Sequence, residues 1–379
     1  MKRNIWIGIG IVVILALAIV LVITQIKREP EEIKIGAAMP LTGEGAVYGE
    51  PQKLAAELAV EAINNKGGLL GKKLTLIPQD DKAQPTEAVN IAHMFASRTD
   101  IIGVIGYPNS GNAIPASKIF YERGIPYIAT TPTNPHLTKQ GFKNVFRFAP
   151  TDDMQGISAA EFIFNKLNSL SAVIIHDNTA YGKGIALYVK EHFQSLGGKV
   201  LLFDALTPGE KDYRSILLKA ARNKPEAIFY GGMMREGAIL VRQAEELGLK
   251  FKFVFGDGCF DEQFKKLAGT DCKNVYISFL APPWETVPTA KEFVKKYQER
   301  YGSVPPFAPY GYDAVMVLAE AIKRSKSLDR EKIIKALREP TFGVQGVTGE
   351  IKFDENGQTP GRRFYFYTFN EKGRLALYE

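Results

Sequence analysis

Short, almost wholly apolar segments alternate with amphipathic helical segments along most of the chain, and this rhythm constrains the fold more than any single motif. Residues 33–38, 73–77, 101–105 and Tyr127–Ala129 read as strands, separated by helices beginning at Pro51 and over 86–97 and 113–121. In the first helix Leu54, Leu58, Ala59, Ala62 and Ile63 share one face, and Gly67-Gly68 ends it. Strands that are apolar on both faces, in βαβα order, need helices on both sides, which is the pattern of a doubly wound parallel sheet. The rhythm then restarts. Helices are expected at 152–166, 182–196, 213–223 and 234–247, with strands at 172–176, 199–203, 227–230 and 253–255. Further helices at 289–301, 310–326 and 330–337 lead to short β stretches at 350–353 and 364–369. With 379 residues the chain is too long for one small core, so two α/β lobes with a cleft between them are expected.

The formal charge of +7 suggests an anionic macromolecule as partner until it is located. Lys2, Arg3, Lys27 and Arg28 flank the first apolar run, and setting them aside leaves +3 for the rest of the chain. Basic and acidic residues are interleaved there, without the concentrated basic and aromatic surface that nucleic acid requires. Between the flanking pairs, residues 5–23 are uncharged and dominated by Ile, Val, Leu and Ala, a length close to the roughly 20 residues that span hydrocarbon. The expectation is an N-terminal transmembrane helix (1–28) anchoring an extracytoplasmic body, with a cleaved signal as the alternative. Cys259 and Cys272 are the only thiols, and a disulfide and two buried free thiols are equally compatible with their spacing.

No Walker loop, Gly-x-Gly-x-x-Gly fingerprint after a strand, or Gly-x-Ser-x-Gly elbow occurs. His93, His136, His176 and His192 lack metal-ligand spacing, and the adjacent pairs Asp80-Asp81 and Asp152-Asp153 are expected to point apart. Neither an enzyme nor a cofactor or metal site is expected. What remains is polar loops at strand ends, where open parallel sheets bind ligands. After 101–105 come Asn109, Ser110 and Asn112 at a helix start, suited to a carboxylate unless they only cap that helix. Thr131 and Thr133 follow Tyr127–Ala129, in what is otherwise an ordinary Pro-rich turn. Asp257, flanked by Gly256 and Gly258, is accessible to an ammonium group or is simply a turn aspartate. Tyr48, placed in the loop after the first strand, and Tyr181 either wall an apolar pocket or pack in the core.

These residues, together with Pro40-Leu41-Thr42-Gly43, Ala62-Ile63-Asn64-Asn65-Lys66-Gly67-Gly68, Tyr230-Gly231-Gly232 and Gly248-Leu249-Lys250, form an ordered series. It resembles the type I periplasmic binding proteins, and more narrowly the leucine/isoleucine/valine-binding subunits of ABC importers. The resemblance covers essentially everything from Ile33 onward. It implies two parallel-sheet lobes joined by three crossovers: 33–150 with 281–360, and 151–280 with 361–379. It further implies an amino-acid ligand, branched-chain or otherwise aliphatic, delivered to ABC permease subunits. By the same resemblance Ser110, Thr131 and Thr133 hold the carboxylate, Asp257 holds the ammonium, and Tyr48, Tyr181 and Phe307 wall the side-chain pocket. Two departures bear on pocket depth: the acid is the shorter Asp257, and Met233 stands where an aromatic is common. A sensing receptor with the same lobes, and a binder of amides, urea or aromatic acids, are the alternative readings.

Overall fold

The computed structural model describes residues 32–378. The apolar run at 5–23, and with it the expected anchor, lies outside the described residues; among these, no helix is long and apolar enough to cross a membrane.

The first sheet contains β1 (Glu32–Met39), β2 (Lys73–Asp80), β3 (Ile101–Gly106), β4 (Tyr127–Ala129) and β5 (Val145–Arg147) in the order β2-β1-β3-β4-β5. Every pairing in it is parallel. β3 is buried at all six positions, as the apolar run Ile-Ile-Gly-Val-Ile-Gly requires of a strand covered on both faces. The second sheet contains β6 (Ser171–His176), β7 (Lys199–Ala205), β8 (Ala227–Gly231), β9 (Lys252–Phe255) and β10 (Val275–Phe279). A separate antiparallel pair is formed by β11 (Val344–Gly346) and β12 (Gly349–Ile351). The second sheet is completed by β13 (Tyr365–Phe369) and β14 (Leu375–Leu377), giving the order β14-β13-β10-β9-β8-β6-β7. The pairings among β10, β9, β8, β6 and β7 are parallel, as expected, and β13 and β14 add an antiparallel edge. The physical reason is the connection: β13 and β14 are joined by a hairpin of a few residues, too short for the crossover that a parallel pair needs.

The chain passes between the two sheets three times. It leaves the first after β5, returns after β10 to place the helix Ala308–Ser325 against Ala46–Asn64, β3 and β4, and leaves again between β12 and β13. The Ala46–Asn64 helix starts five residues before the expected Pro51, which lies inside it. A proline that early forfeits a single main-chain bond, so the helix runs through it. Its buried stripe is Tyr48, Gln52, Ala55, Ala56, Ala59 and Ile63, so of the expected face Ala59 and Ile63 are buried while Leu54, Leu58 and Ala62 are half-buried. A Cβ at Gly311 would lie 2.0 Å from the Gln52 carbonyl oxygen. Glycine at 311 is what lets the two helix backbones approach this closely. Cys259 and Cys272 are both free and buried, so no disulfide links them.

Candidate functional site

The seven residues singled out from the sequence line one cleft of about 1270 Å³ between the two sheets. Five of them, Ser110, Thr131, Thr133, Tyr181 and Asp257, lie in the loops and helix starts that follow strands. β3 leads into the helix Ser110–Glu122, β4 into residues 130–135, β6 into the helix Gly182–Ser195, and β9 into the turn Asp257–Cys259. Tyr48 sits in the first turn of Ala46–Asn64 rather than in the preceding loop, and Phe307 immediately precedes Ala308–Ser325.

Two hydroxyls on the first-sheet side are pre-bonded as acceptors. Ser110 Oγ accepts from the Asn134 amide at 3.2 Å, and Thr131 Oγ1 accepts from Gln52 Nε2 at 3.3 Å. Ser110 is the first helical residue, while the cap position is Asn109, whose side chain makes no capping bond. Ser110 is therefore not a cap; its hydroxyl and the helix N-terminus are free for an anion. The helix has no acidic residue in its first turn to compete. Thr133 is buried, and its carbonyl accepts from the Asp152 amide at 2.9 Å.

Behind this loop lies Arg147, fully buried at the end of β5. Its guanidinium donates to the carbonyls of Pro132 at 3.1 Å and Asn134 at 2.6 Å, and to Gln358 Oε1 at 2.6 Å. Burial lowers its pKa to about 10, and it stays charged at neutral pH. The prolines do not hold the Thr131–Thr133 segment alone; a buried cation grips its carbonyls.

On the second-sheet side Asp257 is buried, and burial raises its pKa to about 6, while the Tyr181 hydroxyl and the Gln155 amide favour the ionised form. Tyr181 donates to Asp257 Oδ1 at 2.8 Å and accepts from the Gly258 amide at 2.9 Å. Asp152, also buried, is pushed well up in pKa by burial, against the Thr133 hydroxyl beside it, which favours its ionised form. Asp257 lines the cleft with Tyr181 as its fixed partner, while the buried carboxylates of Glu236 and Asp261, which line the same cleft, are taken up by the Gly209 amide and Arg235 and by the Gln263 amide. The apolar wall is aromatic: the rings of Tyr48 and Phe307 meet edge to face at 5.7 Å, and Phe307 meets Phe279 at 5.2 Å. Met233 lines the same cleft.

Direct contacts join the two sides. Tyr48 Oη donates to the Gly258 carbonyl at 2.6 Å and accepts from the Met234 amide at 3.3 Å. Asn134 Nδ2 donates to the Ala180 carbonyl at 2.6 Å, and Glu44 pairs with Arg235 at 3.2 Å. Gln52, Asn134, Arg147 and Gln155 were not foreseen. The one available signal was the four-residue spacing from Tyr48 to Gln52, which puts both on one helical face.

The periplasmic binding protein family model matches residues 32–374. The Leu/Ile/Val-binding protein homolog 1 of Brucella abortus is 33% identical over 347 residues, covering 92% of each chain. Among solved structures, a leucine binding protein from Thermotoga maritima aligns with a TM-score of 0.85 and 29% identity, over 92% of this chain and 98% of that one. A branched-chain amino acid transporter substrate binding protein from Streptococcus pneumoniae, in complex with isoleucine, aligns with a TM-score of 0.83 and 30% identity, over 91% and 98%. Family model, relatives and folds agree over nearly all of the described residues: the chain belongs to the periplasmic binding proteins.

Proposed function

We propose that this protein is the extracytoplasmic substrate-binding component of an ABC importer, taking a branched-chain or other aliphatic amino acid in its cleft and presenting it to the permease subunits. One arrangement carries the reading. Free hydroxyl protons at Ser110 and Thr131, beside a helix N-terminus, lie across an aromatic-walled cleft from the buried carboxylate of Asp257. A zwitterion needs both ends, and an aliphatic side chain needs the apolar wall between them. The ligand carboxylate is assigned to Ser110, Thr131 and Thr133, its ammonium to Asp257, and its side chain to Tyr48, Tyr181 and Phe307.

The lobes, 33–150 with 281–360 and 151–280 with 361–379, close on the ligand because only the closed arrangement lets both sets of groups reach it. The shorter Asp257 and the flexible Met233 set how deep a side chain is accepted. The segment 1–28 holds the body to the outer face of the membrane. Binding rather than turnover is the activity. A thermal-shift panel of amino acids and amides tests the assignment: stabilisation by leucine, isoleucine or valine supports it, and stabilisation by amides or urea alone overturns it.

A further inference from the structure

Gln52 is fully buried beneath the cleft rather than lining it, one helical turn after Tyr48. Its amide nitrogen donates twice, to the Tyr48 carbonyl at 2.9 Å and to Thr131 Oγ1 at 3.3 Å. A main-chain carbonyl can only accept, so the Tyr48 contact fixes which end of the amide faces it. The same nitrogen faces Thr131, and the threonine oxygen is obliged to accept. Its proton is left to point elsewhere, and the open direction is the cleft that Thr131 lines.

Two further observations set this apart from ordinary core packing. Gln52 Oε1 is buried without a hydrogen-bond partner, a cost that an apolar residue of similar shape would avoid. The main chain of Gln52 also abuts Gly311, where a Cβ would lie 2.0 Å from the Gln52 oxygen, so the helix cannot slide and change what the amide reaches.

We infer that Gln52 is a positioning residue, which orients the Thr131 hydroxyl as an obligate donor towards the ligand carboxylate. The inference rests on the carboxylate assignment above and adds a specificity rule to it. The cleft selects a group that accepts at Thr131, and residue 52 enforces that polarity. Replacing the amide by a carboxylic group puts an oxygen in front of Thr131 that can take the threonine proton for itself. Replacing it by a thioether leaves the hydroxyl free to rotate.

The test is leucine affinity by calorimetry for the wild type, Gln52→Glu, Gln52→Met and Thr131→Val, and for each Gln52 variant combined with Thr131→Val. Melting of each ligand-free protein establishes that it is folded. Gln52→Glu is expected to weaken binding about tenfold or more and Gln52→Met about threefold, since a hydrogen bond to a charged group is lost or mis-set. In the Thr131→Val background both changes are expected to cost less than about twofold, because the group they act through is gone. A merely structural glutamine would give the same cost in both backgrounds. That result, or wild-type affinity in Gln52→Met and Gln52→Glu, overturns the inference. Failure of the wild type to bind leucine, isoleucine or valine overturns the amino-acid reading itself, and the positioning role with it.

Discussion

The Tyr181 hydroxyl stands between the Asp257 carboxylate, to which it donates at 2.8 Å, and the Gly258 amide, from which it accepts at 2.9 Å. From the opposite side Tyr48 donates to the Gly258 carbonyl at 2.6 Å. Two tyrosines thus hold one short turn from both sides of the cleft and fix the acid that faces it. A phenylalanine at 181 keeps the ring but removes a bond that favours ionised Asp257. Tyr181→Phe should weaken amino-acid binding several-fold at pH 7 and move the acid limb of the affinity profile to higher pH. Calorimetric titrations across pH 5–8 check this, and an unmoved limb contradicts it.

The pH dependence of the wild type follows from the same groups. Burial raises Asp257 to about 6, so protonation below that pH removes the partner of an ammonium group, and affinity should fall as pH drops through about 6. Stability of the ligand-free protein should run the other way. Asp81, Asp177, Asp257 and Asp313 are each raised by burial to about 6, above an unfolded value near 4. For groups raised in the folded state, the stabilisation is fully present below about pH 4 and is lost as pH rises through about 6. The ligand-free melting temperature should therefore be higher at pH 5 than at pH 7.5, while the shift produced by ligand is smaller. A ligand-free melting temperature that rises from pH 5 to pH 7.5 contradicts this account.

Arg147→Met should destabilise the folded chain by about 2–4 kcal/mol, because it leaves the buried Pro132 carbonyl and the part-buried Asn134 carbonyl without their donor. Denaturant unfolding followed by two probes measures it, and a change below about 0.5 kcal/mol would show that the guanidinium is dispensable.

Asn134 reaches across the cleft to the Ala180 carbonyl at 2.6 Å. Asn134→Ala should remove about 1 kcal/mol from the closed arrangement, raising the amino-acid dissociation rate about fivefold with little change in the association rate. Stopped-flow fluorescence separates the two rates. An unaltered dissociation rate contradicts a closing role for this contact.

The strands and helices that were legible in sequence are those whose periodicity is sustained, such as β3 and Arg330–Leu337. Strands β5, β10 and β14 are not among those expected from sequence. β5 and β14 are too short to carry a period, and β10 follows 256–274, where no helix is expected from sequence to set it off. The equally short β4 is legible because it keeps the strand–helix alternation. Strand ends gave away Ser110, Thr131, Thr133, Tyr181 and Asp257, because parallel sheets place such loops on one rim. Tyr48 was misplaced because Pro51 looked like a helix start, although it falls within the helix. Arg147 was hidden for a different reason. Its carbonyl partners lie 13 and 15 residues before it and Gln358 lies 211 after it, distances across which no local pattern speaks.

The central claim is that a buried acid in the cleft receives the ammonium of an amino acid. Leucine affinity of the wild type and Asp257→Asn, measured by calorimetry at pH 7.5, tests it most directly. Loss on the order of 100-fold or more is predicted, because the change leaves a desolvated cation without its counter-charge. Equal affinity in the two proteins would contradict the account.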